Sequence, residues 1–198
     1  MVVKKQEGKQ EKPEEAKEQA EKTEGKAKKI KAVFTGESIS SNTTDAINLY
    51  GKSRFGEMVE SKVQYSLTEA LFLQEQGKLD IYEKGKKLSQ KKFIEKLKKL
   101  DPKIETRYIV FKDLRKRGYI VKTALKFGAE FRVYEKGKFP GEEHARWILY
   151  PVRETDTLTW HDFSAKNRVA HSTKKRLLIA VVDEENDVTY YEVAWIRP

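Results

Sequence analysis

The feature that most constrains the fold is a series of five strand-like segments in the second half of the chain. Each alternates apolar with polar residues and is rich in β-branched and aromatic side chains, a pattern typical of half-buried strands. The segments are YIVKTALKF, EFRVYEK, ARWILYPV, KRLLIAVVD and VTYYEVAWI. With the helix predicted before Gly118, they indicate a C-terminal domain of α+β or mixed α/β class, with a mixed central sheet flanked by helices.

A smaller α/β lobe is predicted over residues 32–101, before these strands. Short strand signals occur in AVFTGESI and at Val63–Tyr65, and TTDAINLYG favours a helix. Ser66 and Glu69 have the Ser-x-x-Glu spacing of a capping box, which predicts a further helix that ends at Gly77. Strands and helices therefore alternate within this N-terminal lobe.

Two helices are predicted where the lobe meets the C-terminal domain. A basic helix begins at Ser89 and carries an apolar stripe at helical spacing, formed by Phe93, Ile94, Leu97 and Leu100. Asp101 followed by Pro102 is typical of a helix cap and a first helical position, so a new helix is expected there. We place the domain boundary at this point, with the C-terminal domain over residues 102–198.

Residues 1–31 are predicted to form a disordered, charged tail. They are almost entirely Lys, Glu, Gln, Ala and Gly, without an aromatic residue, so they cannot bury enough apolar surface to fold. No stretch approaches the roughly 18 apolar residues of a membrane span, and the N-terminus lacks the apolar core of a signal peptide. The sequence predicts a soluble, cytoplasmic protein.

The charge balance indicates the class of partner. Lys and Arg exceed Asp and Glu by 41 to 31, which gives a net charge of +10 at pH 7. Such a balance is typical of proteins that contact polyanions such as RNA, although a solvated surface of mixed charge is the alternative. Cysteine is absent, which excludes disulfides, thiolate nucleophiles and cysteine-based zinc sites.

Three residues of the C-terminal domain carry side chains suited to acid–base chemistry on RNA. Tyr134 ends a strand-like segment, where alternation places it on the same face as Arg132. His144 follows a loop and precedes a strand, and Lys175 opens another strand. A phenol, an imidazole and an ammonium can supply a base, an acid and charge stabilisation without a metal.

Residue type alone does not settle these roles. His161 and His171 carry the same imidazole, and Lys174 and Arg176 carry the same charge as Lys175. An aromatic residue on a sheet surface, a surface histidine and a solvated basic strand end are the structural alternatives. The residues considered by themselves leave the assignment open.

Three segments within residues 107–198 resemble the catalytic domain of the archaeal tRNA-splicing endonucleases. YIVFKDLRKRGYIVKTALKFGAEFRVYEKG is similar to the family's helix, Arg-Gly-Tyr turn and Phe-Gly-Ala-Asp/Glu-Phe-x-Val-Tyr strand. PGEEHARWIL resembles its Pro-Gly-x-x-His-Ala segment, and NRVAHSTKKRLLIAVVD its Arg-Val-x-His-Ser-x-x-Lys-x-Leu segment. Residues 32–100 resemble the family's N-terminal lobe more loosely, in DAINLYGKSRFGE and YSLTEALFLQEQGKL.

This resemblance implies a reaction and a role for each of the three residues. Tyr134 would be the base that removes the ribose 2′-hydroxyl proton, and His144 the acid that protonates the leaving 5′ oxygen. Lys175, the lysine that matches the family motif, would stabilise the phosphorane. The implied activity is excision of introns from precursor tRNA at bulge-helix-bulge motifs. It would need no metal and no cofactor, and would leave a 2′,3′-cyclic phosphate and a 5′-hydroxyl.

The resemblance also implies RNA-binding residues and an assembly. In the family, two cationic side chains of the opposing subunit sandwich a flipped base, and Arg168 and Arg197 match these positions. The acidic turn of the last hairpin resembles a loop that inserts into a partner subunit; its residues are Asp183, Glu184, Glu185 and Asp187. A homotetramer is expected, and a heterotetramer with an inactive paralogue is the alternative.

Two other functions fit parts of the sequence. The first is an RNA-binding structural subunit of such an endonuclease without its own catalysis, which the presence of all three reactive residues disfavours. The second is a metal-dependent nuclease that would use Glu130, Glu135 and Lys136, but no convincing aspartate partner accompanies them.

Overall fold

The computed structural model describes residues 29–36, 38–125 and 128–196, which form two sheets and the helices packed on them. The predicted tail lies almost wholly outside the described residues. None of the described helices is both long and apolar enough to cross a membrane.

Among the described residues, the N-terminal lobe is a six-stranded mixed sheet with three helices. Its strand order is β3-β4-β2-β1-β5-β6; β1 and β5 run parallel, and the other neighbouring strands of this sheet are antiparallel. The elements are β1 (Ile30–Phe34), β2 (Ile39–Ser41), α1 (Thr44–Ser53), β3 (Glu57–Val59), β4 (Lys62–Tyr65), α2 (Leu67–Glu75), β5 (Leu79–Glu83), β6 (Lys86–Lys87) and α3 (Gln90–Leu100).

The C-terminal domain is a five-stranded mixed sheet in the order β11-β10-β9-β8-β7, which confirms the predicted fold class. Of its described strands, β9 and β10 run parallel and are connected by α5, while the other neighbouring strands are antiparallel. The elements are α4 (Ile104–Lys116), β7 (Ile120–Ala124), β8 (Ala129–Tyr134), β9 (Trp147–Arg153), α5 (Trp160–Ser172), β10 (Arg176–Val182) and β11 (Val188–Val193).

The lobe and the domain share one apolar core, because α2 of the lobe packs against α4 of the domain. A line of phenylalanine rings crosses this contact, with successive centroids 5.8, 5.9 and 6.0 Å apart; the rings belong to Phe55, Phe72, Phe111 and Phe131. Burial of such side chains stabilises a fold by about 1.5–3 kcal/mol each. The relative position of the two sheets is therefore held by a common core.

The capping box predicted for α2 is present. Ser66 Oγ accepts from the Glu69 N–H at 3.3 Å, and Glu69 Oε2 accepts from the Ser66 N–H at 3.0 Å. Gly77 follows the end of the helix with a φ of 67°, a left-handed conformation that glycine adopts without strain. The local sequence was therefore sufficient to predict where this helix begins and where it ends.

The junction between α3 and α4 differs from the prediction. Helix α4 begins at Ile104 rather than at Pro102, because residues 101–104 form a turn. In this turn the Ile104 N–H donates to the Asp101 carbonyl and the Lys103 N–H to the Asp101 carboxylate, both at 3.0 Å. Leu100 was expected in the buried stripe of α3 but is 52% exposed. Helix α5 was not predicted.

Candidate active site

A cavity of about 330 Å³ lies at one edge of the C-terminal sheet and brings Tyr134, His144 and Lys175 together. The C-terminal end of β8 meets the start of β9 there because the two strands are antiparallel. The start of β10 lies at the same edge because β10 runs parallel to β9. The lining residues are Arg132, Tyr134, Gly141, Glu142, Glu143, His144, Ala145 and Lys175.

Tyr134 is the most enclosed of the three side chains, with 4% of its surface exposed. It packs in a small apolar cluster with Ile120 and Ala145. Burial raises the pKa of Tyr134; the nearby Arg132 guanidinium opposes this rise and Glu57 adds to it. A positively charged neighbour, which lowers the pKa of Tyr134, is therefore needed if the phenol is to act as a base.

His144 is exposed on the loop between β8 and β9. The loop is tightly folded, since the N–H groups of Glu142 and Glu143 donate to the Phe139 carbonyl at 3.2 and 3.0 Å. Lys138 pairs with Glu143 at 2.6 Å. These bonds hold the imidazole-bearing end of the loop over the mouth of the cavity while leaving the ring accessible.

Lys175 lies in the connection between α5 and β10. Its N–H donates to the Ala170 carbonyl at 2.8 Å, and its Nζ donates to the Thr173 carbonyl at 2.8 Å. The preceding Lys174 has a φ of 56°, which turns the chain sharply at the end of the helix. Burial lowers the pKa of Lys175, and the charge of Arg132 lowers it further.

The residues that competed with His144 and Lys175 on residue type are elsewhere. His161 and His171 are on α5 and do not line the cavity; His171 lies against the Trp195 ring, with centroids 4.1 Å apart. Arg176 pairs with Glu192 of β11. Lys174 is exposed outside the cavity lining.

Arg132 is a cavity residue to which sequence reasoning gave no role. It lies on β8, two residues before Tyr134, and its Nη2 donates to Glu57 Oε1 of the N-terminal lobe at 3.1 Å. The strand alternation noted in the sequence already placed it on the same face as Tyr134. The partner from β3 could not be found in that way, because no local spacing relates the two residues.

Of the two predicted RNA-binding residues, Arg168 does not line the cavity. Arg168 is exposed on α5, and Arg197 lies outside the described residues. The acidic residues occupy the turn between β10 and β11, where Arg153 donates to the Asp183 carbonyl at 3.1 Å and to Asn186 Oδ1 at 3.0 Å. Glu184, Glu185 and Asp187 are exposed at this turn.

The carboxylates considered for a metal-dependent nuclease are already paired. Glu130 accepts from Arg107 at 2.7 Å, and Glu135 pairs with Arg146. Within the ranges that the structure describes, no group of three or more His, Asp and Glu side chains is arranged to hold a metal ion.

Comparison with known proteins agrees with this architecture. Residues 104–190 match the model of the tRNA intron endonuclease catalytic C-terminal domain, and residues 30–94 match that of the tRNA intron endonuclease N-terminal domain. The tRNA-splicing endonuclease of Thermococcus onnurineus is 43% identical over 169 residues, which cover 85% of this chain and 97% of that protein. The tRNA-splicing endonuclease of Methanothermobacter thermautotrophicus is 46% identical over 156 residues, or 79% of this chain and 91% of that protein.

Fold, cavity and relatives together define an enzyme of the tRNA-splicing class, with a catalytic C-terminal domain. The chain belongs to the tRNA intron endonuclease family, and it contains both domains of that family.

Proposed function

We propose that this chain excises introns from precursor tRNA by metal-independent cleavage at bulge-helix-bulge motifs, with Tyr134, His144 and Lys175 as its catalytic residues. The observation that supports this function is that the three side chains, far apart in sequence, line one cavity. A phenol, an imidazole and an ammonium in one site suit the internal attack of a ribose hydroxyl on its own phosphate.

The reaction is a transesterification, in which one bond from phosphorus to oxygen forms as another breaks. The Tyr134 phenolate takes the proton of the 2′-hydroxyl, and the 2′ oxygen forms a bond to phosphorus. The bond from phosphorus to the 5′ oxygen breaks, and His144 donates a proton to that oxygen. The products are a 2′,3′-cyclic phosphate and a 5′-hydroxyl, and no water is consumed.

Lys175 would act on the charge that develops during this attack. The phosphorane carries more negative charge on its non-bridging oxygens than the starting phosphodiester, so a fixed ammonium stabilises the transition state more than the substrate. The hydrogen bond of its Nζ to the Thr173 carbonyl at 2.8 Å restrains the side chain before RNA binds. Restraint of this kind lowers the cost of positioning the charge.

RNA recognition would depend on shape and charge rather than on sequence. Bulged nucleotides can be splayed out and stacked on guanidinium planes, and the chain's net charge of +10 favours binding to phosphates. We propose that Arg168 of one subunit contacts a flipped bulge base at the site of another. Its exposed position on α5, away from its own cavity, is consistent with a contact made in trans.

We propose that the active assembly is a homotetramer. The acidic turn between β10 and β11 would insert into a basic surface of a partner subunit, because its exposed carboxylates complement a chain that is otherwise basic. Tyr191 is 56% exposed on β11, which leaves apolar surface on the edge strand for a second contact. Native mass measurement should give four chains of 23.1 kDa each; a stable monomer that cuts RNA would contradict the tetramer.

The first test of the function is cleavage of a bulge-helix-bulge RNA by the purified chain in EDTA. Cutting at both bulges with cyclic phosphate ends is expected, since no step uses a metal. Loss of activity on chelation would refute the metal-free mechanism. Binding without cutting would indicate instead a structural subunit that supports a separate catalytic chain.

A second test isolates the role of His144. His144→Ala should slow single-turnover cleavage by about 10²–10⁴-fold, whereas the matched control His161→Ala should cleave at the wild-type rate. A substrate with sulfur in place of the 5′ bridging oxygen should restore the rate of His144→Ala, because a thiolate leaves without a proton. Absence of this rescue would contradict the assignment of His144 as the acid.

A further inference from the structure

Four consecutive residues of the N-terminal lobe contact the C-terminal domain beside the cavity. They are Arg54–Glu57, which run from the end of α1 to the first residue of β3, and we call this segment the brace. Arg54 donates to Glu142 Oε1 at 3.0 Å, and Glu142 lines the cavity. Phe55 lies against the Arg115 guanidinium, whose carbon is 3.9 Å from the ring centroid. The lobe therefore reaches the edge of the site.

A buried ion pair, formed by Lys122 and Glu69, is hydrogen-bonded to both backbone groups of Gly56. The Gly56 N–H donates to Glu69 Oε1 at 3.0 Å, and its carbonyl accepts from Lys122 Nζ. Lys122 also donates to Glu69 at 2.9 Å, and the two side chains are 4% and 5% exposed. Because Lys122 belongs to β7, these bonds fix the brace relative to the C-terminal sheet.

The contact between Glu57 and Arg132 follows directly from this anchoring. Lys122 and Arg132 are partners across the β7–β8 ladder. Two successive residues of the brace thus meet two facing residues of the sheet: Gly56 contacts Lys122, and Glu57 contacts Arg132 at 3.1 Å. The direction of the Arg132 side chain is set by a part of the chain outside the catalytic domain.

Arg132 has more hydrogen-bond donors than the protein uses. A guanidinium has five donors in a planar fork that suits phosphate. Among the described residues, Glu57 is its only side-chain hydrogen-bond partner, and its Nε is enclosed without any partner. Because Arg132 lines the cavity, the remaining donors of its guanidinium can bond to an anion bound there. The same cavity holds the three residues proposed to act on a phosphodiester.

We infer that Arg132 is a fourth functional residue, which contacts the scissile phosphate, and that Glu57 is the residue that positions it. This role presupposes the RNA cleavage proposed above. With Lys175, Arg132 places two cations around one phosphate, so that one neutralises the charge of the substrate and both stabilise the phosphorane. The N-terminal lobe thereby contributes to catalysis as well as to folding.

The electrostatics of the site agree with this arrangement. The Arg132 charge lowers the pKa of Tyr134, against the effect of burial, and also lowers the pKa of Lys175. A cation beside Tyr134 favours the phenolate that the reaction needs. Arg132 therefore offsets part of the effect of burial on the base, whose pKa stays above its ordinary value.

The test compares Arg132→Gln and Arg132→Lys with Arg146→Gln in single-turnover cleavage at saturating enzyme. Arg146 also pairs with a glutamate near the site but does not line the cavity, so its variant should cleave as the wild type does. Arg132→Gln should slow cleavage by about 100-fold. Arg132→Lys, which keeps the charge, should recover part of that loss.

The pH profile separates a role in catalysis from a role in folding. Lys175 must keep its proton to stabilise the phosphorane, so loss of that proton contributes the alkaline limb of the cleavage rate. Removal of the Arg132 charge raises the pKa of Lys175, so this limb should move to higher pH in Arg132→Gln. The limb should stay in place in Arg132→Lys. A side chain that served only the fold would lower the rate without moving the limb.

The positioning role of Glu57 has its own pair of variants. Glu57→Gln keeps an oxygen that accepts from Arg132 and should cleave within about threefold of the wild type, whereas Glu57→Ala should lose about tenfold or more. Glu75→Ala is the matched control. Glu75 also joins the lobe to the domain, through its ion pair with Lys112, but it does not line the cavity.

The outcomes distinguish this inference from the function on which it rests. Wild-type protein that cuts RNA together with an Arg132→Gln variant of equal rate would overturn the role of Arg132 alone. Equal losses in both Arg132 variants with an unmoved alkaline limb would overturn it too, in favour of a structural role. Wild-type protein that does not cut would overturn the proposed function and, with it, this inference.

Discussion

The buried pair of Lys122 and Glu69 offers the sharpest test of how the two parts of the molecule are held together. Replacing Lys122 with methionine keeps most of the side-chain volume but removes the ammonium. Glu69 then stays in a site where only 5% of its side chain is exposed, and the Gly56 carbonyl loses its donor. Both groups were satisfied before the change, so the substitution exposes the full cost of burying them.

The magnitude follows from burial. Removal of one partner from a buried ion pair costs about 3–5 kcal/mol, because the remaining charge is uncompensated. For a protein of this size each kcal/mol shifts the melting temperature by about 2–4 °C, so Lys122→Met should lower it by roughly 6–20 °C. The matched control Lys112→Met breaks a more exposed pair between the same two parts, with Glu75, and should cost about 1 kcal/mol or less.

Denaturant unfolding at one fixed protein concentration measures these differences. A third protein, Glu69→Gln with Lys122→Met, should be more stable than Lys122→Met alone by about 1–2 kcal/mol, since a neutral amide leaves no unpaired charge. Equal losses in Lys122→Met and Lys112→Met would refute the reasoning. So would a double variant that is less stable than the single one.

Three further changes test individual contacts. Gly56→Ala should cost about 1–3 kcal/mol of unfolding free energy, because φ is 77° and a Cβ would overlap Val63; an unchanged value would contradict this. Burial, and after it the Glu69 charge, raises the pKa of Tyr65 in the folded protein. The phenol therefore ionises at lower pH in the unfolded chain than in the folded protein, so the free energy of unfolding falls above about pH 10 by roughly 1.4 kcal/mol per pH unit. Tyr65→Phe should remove that share of the slope while changing stability little at pH 7, as the hydroxyl has no partner among the described residues; a slope that persists in full would be inconsistent. Ser66→Ala should cost about 1 kcal/mol by removing the cap of α2, measured by the same unfolding assay, and no loss would contradict the capping role.

What the sequence predicted well were features set by neighbours along the chain. The Ser66–Glu69 capping box spans three residues, and the strands of the C-terminal sheet show their own alternation, so both could be found without tertiary information. Helix α5 carries a similar local signal in its sequence. Thr159 Oγ1 accepts from the Asp162 N–H at 3.1 Å, and Thr three residues before Asp is a common N-cap spacing.

What the sequence could not predict depends on contacts between distant residues. The pair of Glu57 and Arg132 joins residues of two different sheets, and no periodic spacing reports such a contact. The resemblance to the family's segments was enough to predict Tyr134, His144 and Lys175 as site residues. A role for Arg132 could be inferred only from the fold.

The parallel pairing of β9 with β10 has a consequence for the order of synthesis. Tyr134 and His144 are translated first, but Lys175 takes its place at the sheet edge only after the whole α5 connection has been made and β10 has entered between β9 and β11. Under the proposed chemistry, a nascent chain that still lacks this strand has a base and an acid without their ammonium. The proposed site therefore cannot be complete until the chain has been made through β10.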